Sequence, residues 1–177
     1  MSSDTSHCCA RTFNPRLLVS TRRDKELAMQ IQHILVPMDF SPDEEQALEH
    51  AVGLAEHFQA RITLLNAVHL PVTTEVSLAA YLSEMEASAQ RSMETYQKRV
   101  TDAGIPVETR VLVGAPFRQI IDTATDEGID LIVMGTHGRT GMQHLMLGSV
   151  AKRVVRLAPC PVLVTRQTHS ATATTKA

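Results

Sequence analysis

DLIVMGTHGRTGMQHLMLGSVAKRVVRLAPCPVLVTR, residues 130–166, decides the fold. It opens with a short apolar run, 130–135, that ends on Gly135 and has the length of a buried strand. A polar stretch with Gly138 and Gly141 follows and closes at Gly148. The next residues, 149–158, read as a helix stopped by Pro159, and 160–166 form a second apolar strand. A strand, a helix and a strand in succession, with strands apolar throughout rather than alternating, fit parallel strands covered on both faces.

The same unit recurs upstream. Residues 33–40, HILVPMDF, form an apolar run ended by Pro37 and Asp39. The helix after it carries start signals: Ser41 at the cap position, Pro42 in the first turn and Glu44 three residues beyond Ser41 as a capping box. Ala47, Leu48, Ala51, Val52, Ala55 and Phe58 give it one apolar face. Residues 61–68 are a second strand, and 78–103 a long helix with Leu82, Met85, Ala89, Met93, Tyr96 and Val100 at steps of three and four. Gly104 ends that helix. Residues 107–114 are a third strand, and Pro116 starts a short helix that turns Phe117, Ile120, Ile121 and Ala124 inward. With right-handed crossovers, this alternation predicts an α/β fold, an open doubly wound parallel sheet of five strands with helices on both faces. Ligands of such sheets bind at the carboxyl ends of the strands. Asp39 and Gly135 lie at two of those ends.

The bulk properties narrow the function. A chain of 177 residues suits one domain with tails. The core must be aliphatic, because there is no Trp and there are only two Tyr and four Phe. A net charge of −2 gives no footprint for nucleic acid or an anionic membrane surface. No apolar run approaches the roughly 20 residues of a membrane span. Cys8, Cys9 and Cys160 show neither metal spacing nor a disulfide framework, which fits a reducing cytoplasmic setting. The histidines show no zinc-ligand spacing. Residues 1–30 and 169–177 are expected to be flexible tails around a domain spanning 31–168, and Met29 is an alternative start.

The glycines at 135, 138 and 148 admit two readings. In one, they let the backbone approach a ligand closely, and the N–H groups of Ser149, Val150 and Ala151 at a helix N-terminus receive an anion. Arg139 is then within reach of a phosphate. In the other, they are turns in a structural loop and Ser149 is a cap. The stretch is not a P-loop, since no Gly-Lys-Ser/Thr closes it, and it is not the compact Gly-x-Gly-x-x-Gly of dinucleotide folds. Asp39 likewise reads as a ligand-facing carboxylate or as a turn residue.

Across about residues 31–167 the sequence closely resembles the universal stress protein family. The resemblance rests on ILVPMDFS, on DLIVMGTHGRTG and on LMLGSVAKRVVRLAPCPVLVTR. Gly135, Gly138, Gly148 and Ser149 satisfy the Gly-x2-Gly-x9-Gly-Ser/Thr pattern of the family's nucleotide-binding branch. The resemblance implies strand order 3-2-1-4-5 and a homodimer through the last strand, 160–166. It further implies an ATP site, with Mg²⁺ as a companion of the phosphates. Asp39 would meet the ribose above a turn shaped by Pro37, and backbone groups of Ala67 would meet the adenine edge. Met134 and Gly135 would line the nucleoside; Gly138, Gly148, Ser149 and Val150 would hold the phosphates. Ala67 is smaller than the valine often found there. The function so implied is a nucleotide-responsive regulatory dimer in stress response. The alternatives are a slow ATPase or nucleotidyl-transfer enzyme and a nucleotide-free interaction module. Asp39 is the one carboxylate the sequence places near the pocket, too few for a metal cage or a dedicated base.

Overall fold

A computed structural model describes residues 30–69, 78–136 and 147–166. The elements alternate as expected: β1 (His33–Pro37), α1 (Pro42–Phe58), β2 (Arg61–Val68), α2 (Leu78–Asp102), β3 (Val107–Val113), α3 (Pro116–Asp126), β4 (Leu131–Gly135), α4 (Ser149–Leu157) and β5 (Val162–Thr165). The five strands form one sheet in the order β3-β2-β1-β4-β5. Every pairing is parallel, with His33 opposite Arg61, Ile34 opposite Leu131 and Ile132 opposite Val162.

Strand side chains alternate between two cores. Ile34, Val36, Ile62, Leu64, Leu131 and Val133 pack on the α1 and α2 side. Leu35, Leu65, Ile132 and Met134 pack on the α3 and α4 side. Each such side chain, fully buried, stabilises the fold by about 1.5–3 kcal/mol before ordering costs. This two-sided burial is why the strands read as unbroken apolar runs.

The helices follow their apolar stripes with one exception. Ala89, Met93 and Val100 of α2 are buried, and Leu82, Met85 and Tyr96 are half-buried. Gly104, at φ +77°, ends the turn after α2. Phe58, expected to face inward, is exposed. It is the last residue of α1, and Gln59 then turns left-handed and returns Ala60 to the core in its place. Except for β2, which spans the expected 61–68, the strands are also shorter than the apolar runs that announced them. β1 stops at Pro37 and leaves 38–40 as a turn, and β5 starts only after Pro161.

Candidate functional site

A cleft of about 280 Å³ opens at the carboxyl ends of β1, β2 and β4. The strand order reverses between β1 and β4, the place where ligands of doubly wound sheets bind. Pro37 and Asp39 line it from the end of β1, Ala67 from β2, and Met134 and Gly135 from β4. Gly148, Ser149 and Val150 line it from the start of α4. Eight of the ten residues singled out from the sequence therefore share one cleft. Gly138 and Arg139 lie outside the described residues.

The α4 end of the cleft is built of backbone. The first helical hydrogen bond runs from the Lys152 N–H to the Gly148 carbonyl at 2.9 Å. The N–H groups of Ser149, Val150 and Ala151 thus have no acceptor within the helix and point out of its positive end. Gly148 is fastened by its own N–H to the Thr136 carbonyl at 2.9 Å. Thr136 also donates its N–H to the Thr165 carbonyl at 2.9 Å and its hydroxyl to Asp43 Oδ2 at 3.1 Å. This single residue joins β4, β5, α1 and α4. Nothing in the sequence singles it out, because a Thr after a strand is an ordinary residue.

Backbone conformation does not by itself call for glycine at 135 or 148. Gly148 has φ −57° and ψ 159°, a conformation open to any residue, and φ at Gly135 is not positive either. Positive φ therefore explains neither. At Gly135 a Cβ would lie 3.0 Å from the Asp43 Cβ and 3.2 Å from the Asp43 carbonyl carbon. A side chain at Gly135 would press on α1 where it packs against the end of β4, ligand or no ligand.

The turn between β1 and α1 departs from a simple capping box. Ser41 is the N-cap, yet its hydroxyl makes no cap bond and is buried without a partner. Its N–H is instead donated to Asp39 Oδ1 at 2.9 Å. Glu44 reaches further back than Ser41, and its Oε2 accepts the N–H of Phe40 at 2.9 Å and also that of Asp39. The cause is Phe40, which is left-handed at φ +64° and so turns both N–H groups toward α1.

Glu44 is thus a second carboxyl in the cleft, where the sequence had placed Asp39 alone. It is 8% exposed. Burial, reinforced by the neighbouring Asp39 charge, pushes its carboxyl up to about 9, so it is uncharged at neutral pH. The cleft therefore carries one carboxylate rather than two. Among the described residues no group of His, Cys, Asp or Glu gathers that could hold a metal ion. None of the helices described is long and apolar enough to cross a membrane.

A family model described as the universal stress protein family matches residues 30–166. The chain belongs to the universal stress protein family. A universal stress protein of Methanocaldococcus jannaschii is 34% identical over 140 residues, covering 76% of this chain and 81% of the relative. The solved universal stress protein UspA of Lactobacillus plantarum superposes with a TM-score of 0.70 at 33% identity, covering 77% of this chain and 99% of that one. A universal stress protein solved in complex with cAMP shares the fold, with a TM-score of 0.61 at 24% identity and coverage of 77% and 98%.

Proposed function

We propose that this universal stress protein binds an adenine nucleotide, ATP with Mg²⁺ in the first place, as a regulatory ligand. One observation carries the reading. The outward N–H groups at the start of α4 and the carboxyl ends of β1 and β4 converge on a single cleft. A helix N-terminus favours phosphate there, and a pocket of mostly apolar walls beside Asp39 suits a nucleoside. Pro37, Asp39, Ala67, Met134 and Gly135 form the nucleoside half of the proposal. Gly148, Ser149 and Val150 form the phosphate half, with Gly138 and Arg139 assigned to it by sequence pattern alone. The cAMP held by one family member belongs to the same ligand class. A protonated Glu44 favours an anionic ligand, since an ionised one would repel it.

Binding rather than turnover is the proposed role. A neutral Glu44 cannot accept a proton at pH 7, and Asp39 Oδ1 is engaged with the Ser41 N–H. The proposal includes a homodimer through residues 160–166. β5 lies at the edge of the sheet, and Leu163, Val155 and Leu157 are exposed large apolar side chains on β5 and α4. A cytoplasmic setting is proposed from cysteine usage, with Cys160 a free, half-buried thiol.

The competing reading is an empty interaction module, and Gly135 favours it, because packing against Asp43 accounts for that glycine without a ligand. Calorimetric titration of nucleotide-free protein with Mg·ATP decides between them. Micromolar binding near one nucleotide per chain supports the regulatory reading. Folded protein that gives no heat at two temperatures supports the module.

A further inference from the structure

We propose that Glu44 is the positioning residue of the nucleoside end: its buried carboxyl fastens the turn that presents Asp39 to the nucleotide. This rests on the nucleotide reading above and deepens it. The turn from Met38 to Ser41 holds a non-glycine residue, Phe40, at φ +64°. Left-handed backbone at a bulky aromatic persists only where its surroundings over-determine it, and such strain gathers at ligand clamps.

The turn is tied down on several sides. The Met38 N–H donates to the Leu65 carbonyl at 2.7 Å, and Asn66 Nδ2 donates to the Met38 carbonyl at 2.7 Å. These fix the turn's start to β2. The Phe40 ring stacks on Tyr96 of α2, with centroids 5.8 Å apart and planes 17° from parallel. That fixes the outer side. Between these anchors, the Asp39 and Phe40 N–H groups both go to Glu44. The carboxyl also lies beside the Asp39 side chain, whose charge helps to keep it protonated. One residue of α1 thus holds the backbone of the residue assigned to the ribose, and itself lines the cleft.

An ordinary helix cap has no use for this arrangement. The Ser41 N–H, which a capping-box Glu would take, is given to Asp39 instead. A buried acid is a costly group to keep. Here it supplies an acceptor for two N–H groups and, protonated, places no second charge beside Asp39. A glutamine has the same acceptor and no charge, an alanine has no acceptor, and an aspartate is one methylene short.

The full-length protein is titrated with Mg·ATP and with adenosine, as wild type, Glu44→Gln, Glu44→Ala, Asp39→Ala and the Asp39→Ala/Glu44→Ala double variant. Glu44→Ala should weaken both ligands by the same factor, about tenfold, with Glu44→Gln returning to within about threefold of wild type. On the Asp39→Ala background, Glu44→Ala should add less than about twofold, because its effect passes through Asp39. A folded Glu44→Ala protein with wild-type affinity overturns the proposal. So does a loss that persists undiminished without Asp39, the mark of a general structural lesion. If Glu44→Ala does not fold, Glu44→Asp makes the same comparison, including its cycle with Asp39→Ala. Wild-type protein that binds neither ligand overturns the nucleotide reading together with this one. Binding by wild type with an indifferent Glu44 overturns this one alone.

Discussion

The two ends of the sheet each hold buried polar groups, and they treat them in opposite ways. At the amino end, His33 is 4% exposed and hydrogen-bonded on both ring nitrogens. Arg61 Nη2 donates to Nδ1 at 3.0 Å, and since a guanidinium only donates, the ring proton must sit on Nε2. Nε2 donates to Thr63 Oγ1 at 2.8 Å, and the Thr63 hydroxyl donates to Glu127 Oε2 at 3.4 Å. Arg110 Nε donates to the other Glu127 oxygen at 3.2 Å. Asp130 accepts the N–H groups of Gln32 and His33. Burial and the Arg61 charge lower the His33 pKa, so the 4.0 Å approach to Glu127 is no ion pair at neutral pH. Among the described residues, these buried groups at the amino end are satisfied within the chain.

The carboxyl end is different. Three N–H groups at the start of α4 have no acceptor within the helix, a left-handed phenylalanine is held in place, and a neutral acid lines the wall. Buried polar groups are therefore informative by whether the chain completes them, not by how many there are. A closed network is architecture; an open one marks a place for something else.

That contrast breaks most readily at the glycines. Gly148→Val should leave the fold intact, because φ −57° and ψ 159° suit a β-branched residue. Its side chain should nevertheless block the approach to the α4 N–H groups. We expect a loss of affinity of about 100-fold, roughly 2.7 kcal/mol, measured by calorimetry beside an unchanged melting temperature. Gly135→Ala is the reverse case. Its Cβ must push into Asp43, so unfolding free energy should fall by about 1–3 kcal/mol in denaturant melts, with affinity changed less.

The two titrating groups sharpen the comparison with opposite signs. The Glu44 carboxyl is raised from 4.5 to about 9 in the folded protein. Its contribution to stability is whole below 4.5 and is lost as pH rises through about 9. Glu44→Gln, permanently neutral, should thus gain on wild type across that window, by a margin that widens steadily from pH 5 to pH 8 in urea melts. His33 has the lowered pKa, so its contribution is whole above 6.5 and is lost as pH falls through its folded value. His33→Gln should flatten that acid-side loss, read as the slope of melting temperature between pH 7 and 5.

Much of this was legible in the residues. The apolar runs ending at Pro37 and Gly135, the Ser-Pro and Ala-Pro helix starts and Gly104 specify the sheet and its helices, because burial and capping are local chemistry. The spacing of Gly135, Gly148 and Ser149 carried those residues to one cleft, and Asp39 with them. Glu44 was visible only as a cap. The pattern Ser-x-x-Glu is the same whichever N–H the carboxylate takes, and the choice was made by the positive φ of Phe40, which no aromatic residue announces. Thr136 and the Asp43 contact of Gly135 depend on how α1 settles against β4, a tertiary fact without a local signal. Phe58 followed the helical period outward because the period does not say where a helix leaves the core.

The most direct measurement of the central claim is the shift of backbone amide resonances of ¹⁵N-labelled protein during titration with Mg·ATP. The account predicts saturable shifts that are largest at Ser149, Val150 and Ala151, with Asp39 and Phe40 following and the Arg61 and Glu127 amides still. Saturable shifts that spare the α4 amides, or an unchanged spectrum of folded protein at millimolar Mg·ATP, would contradict it.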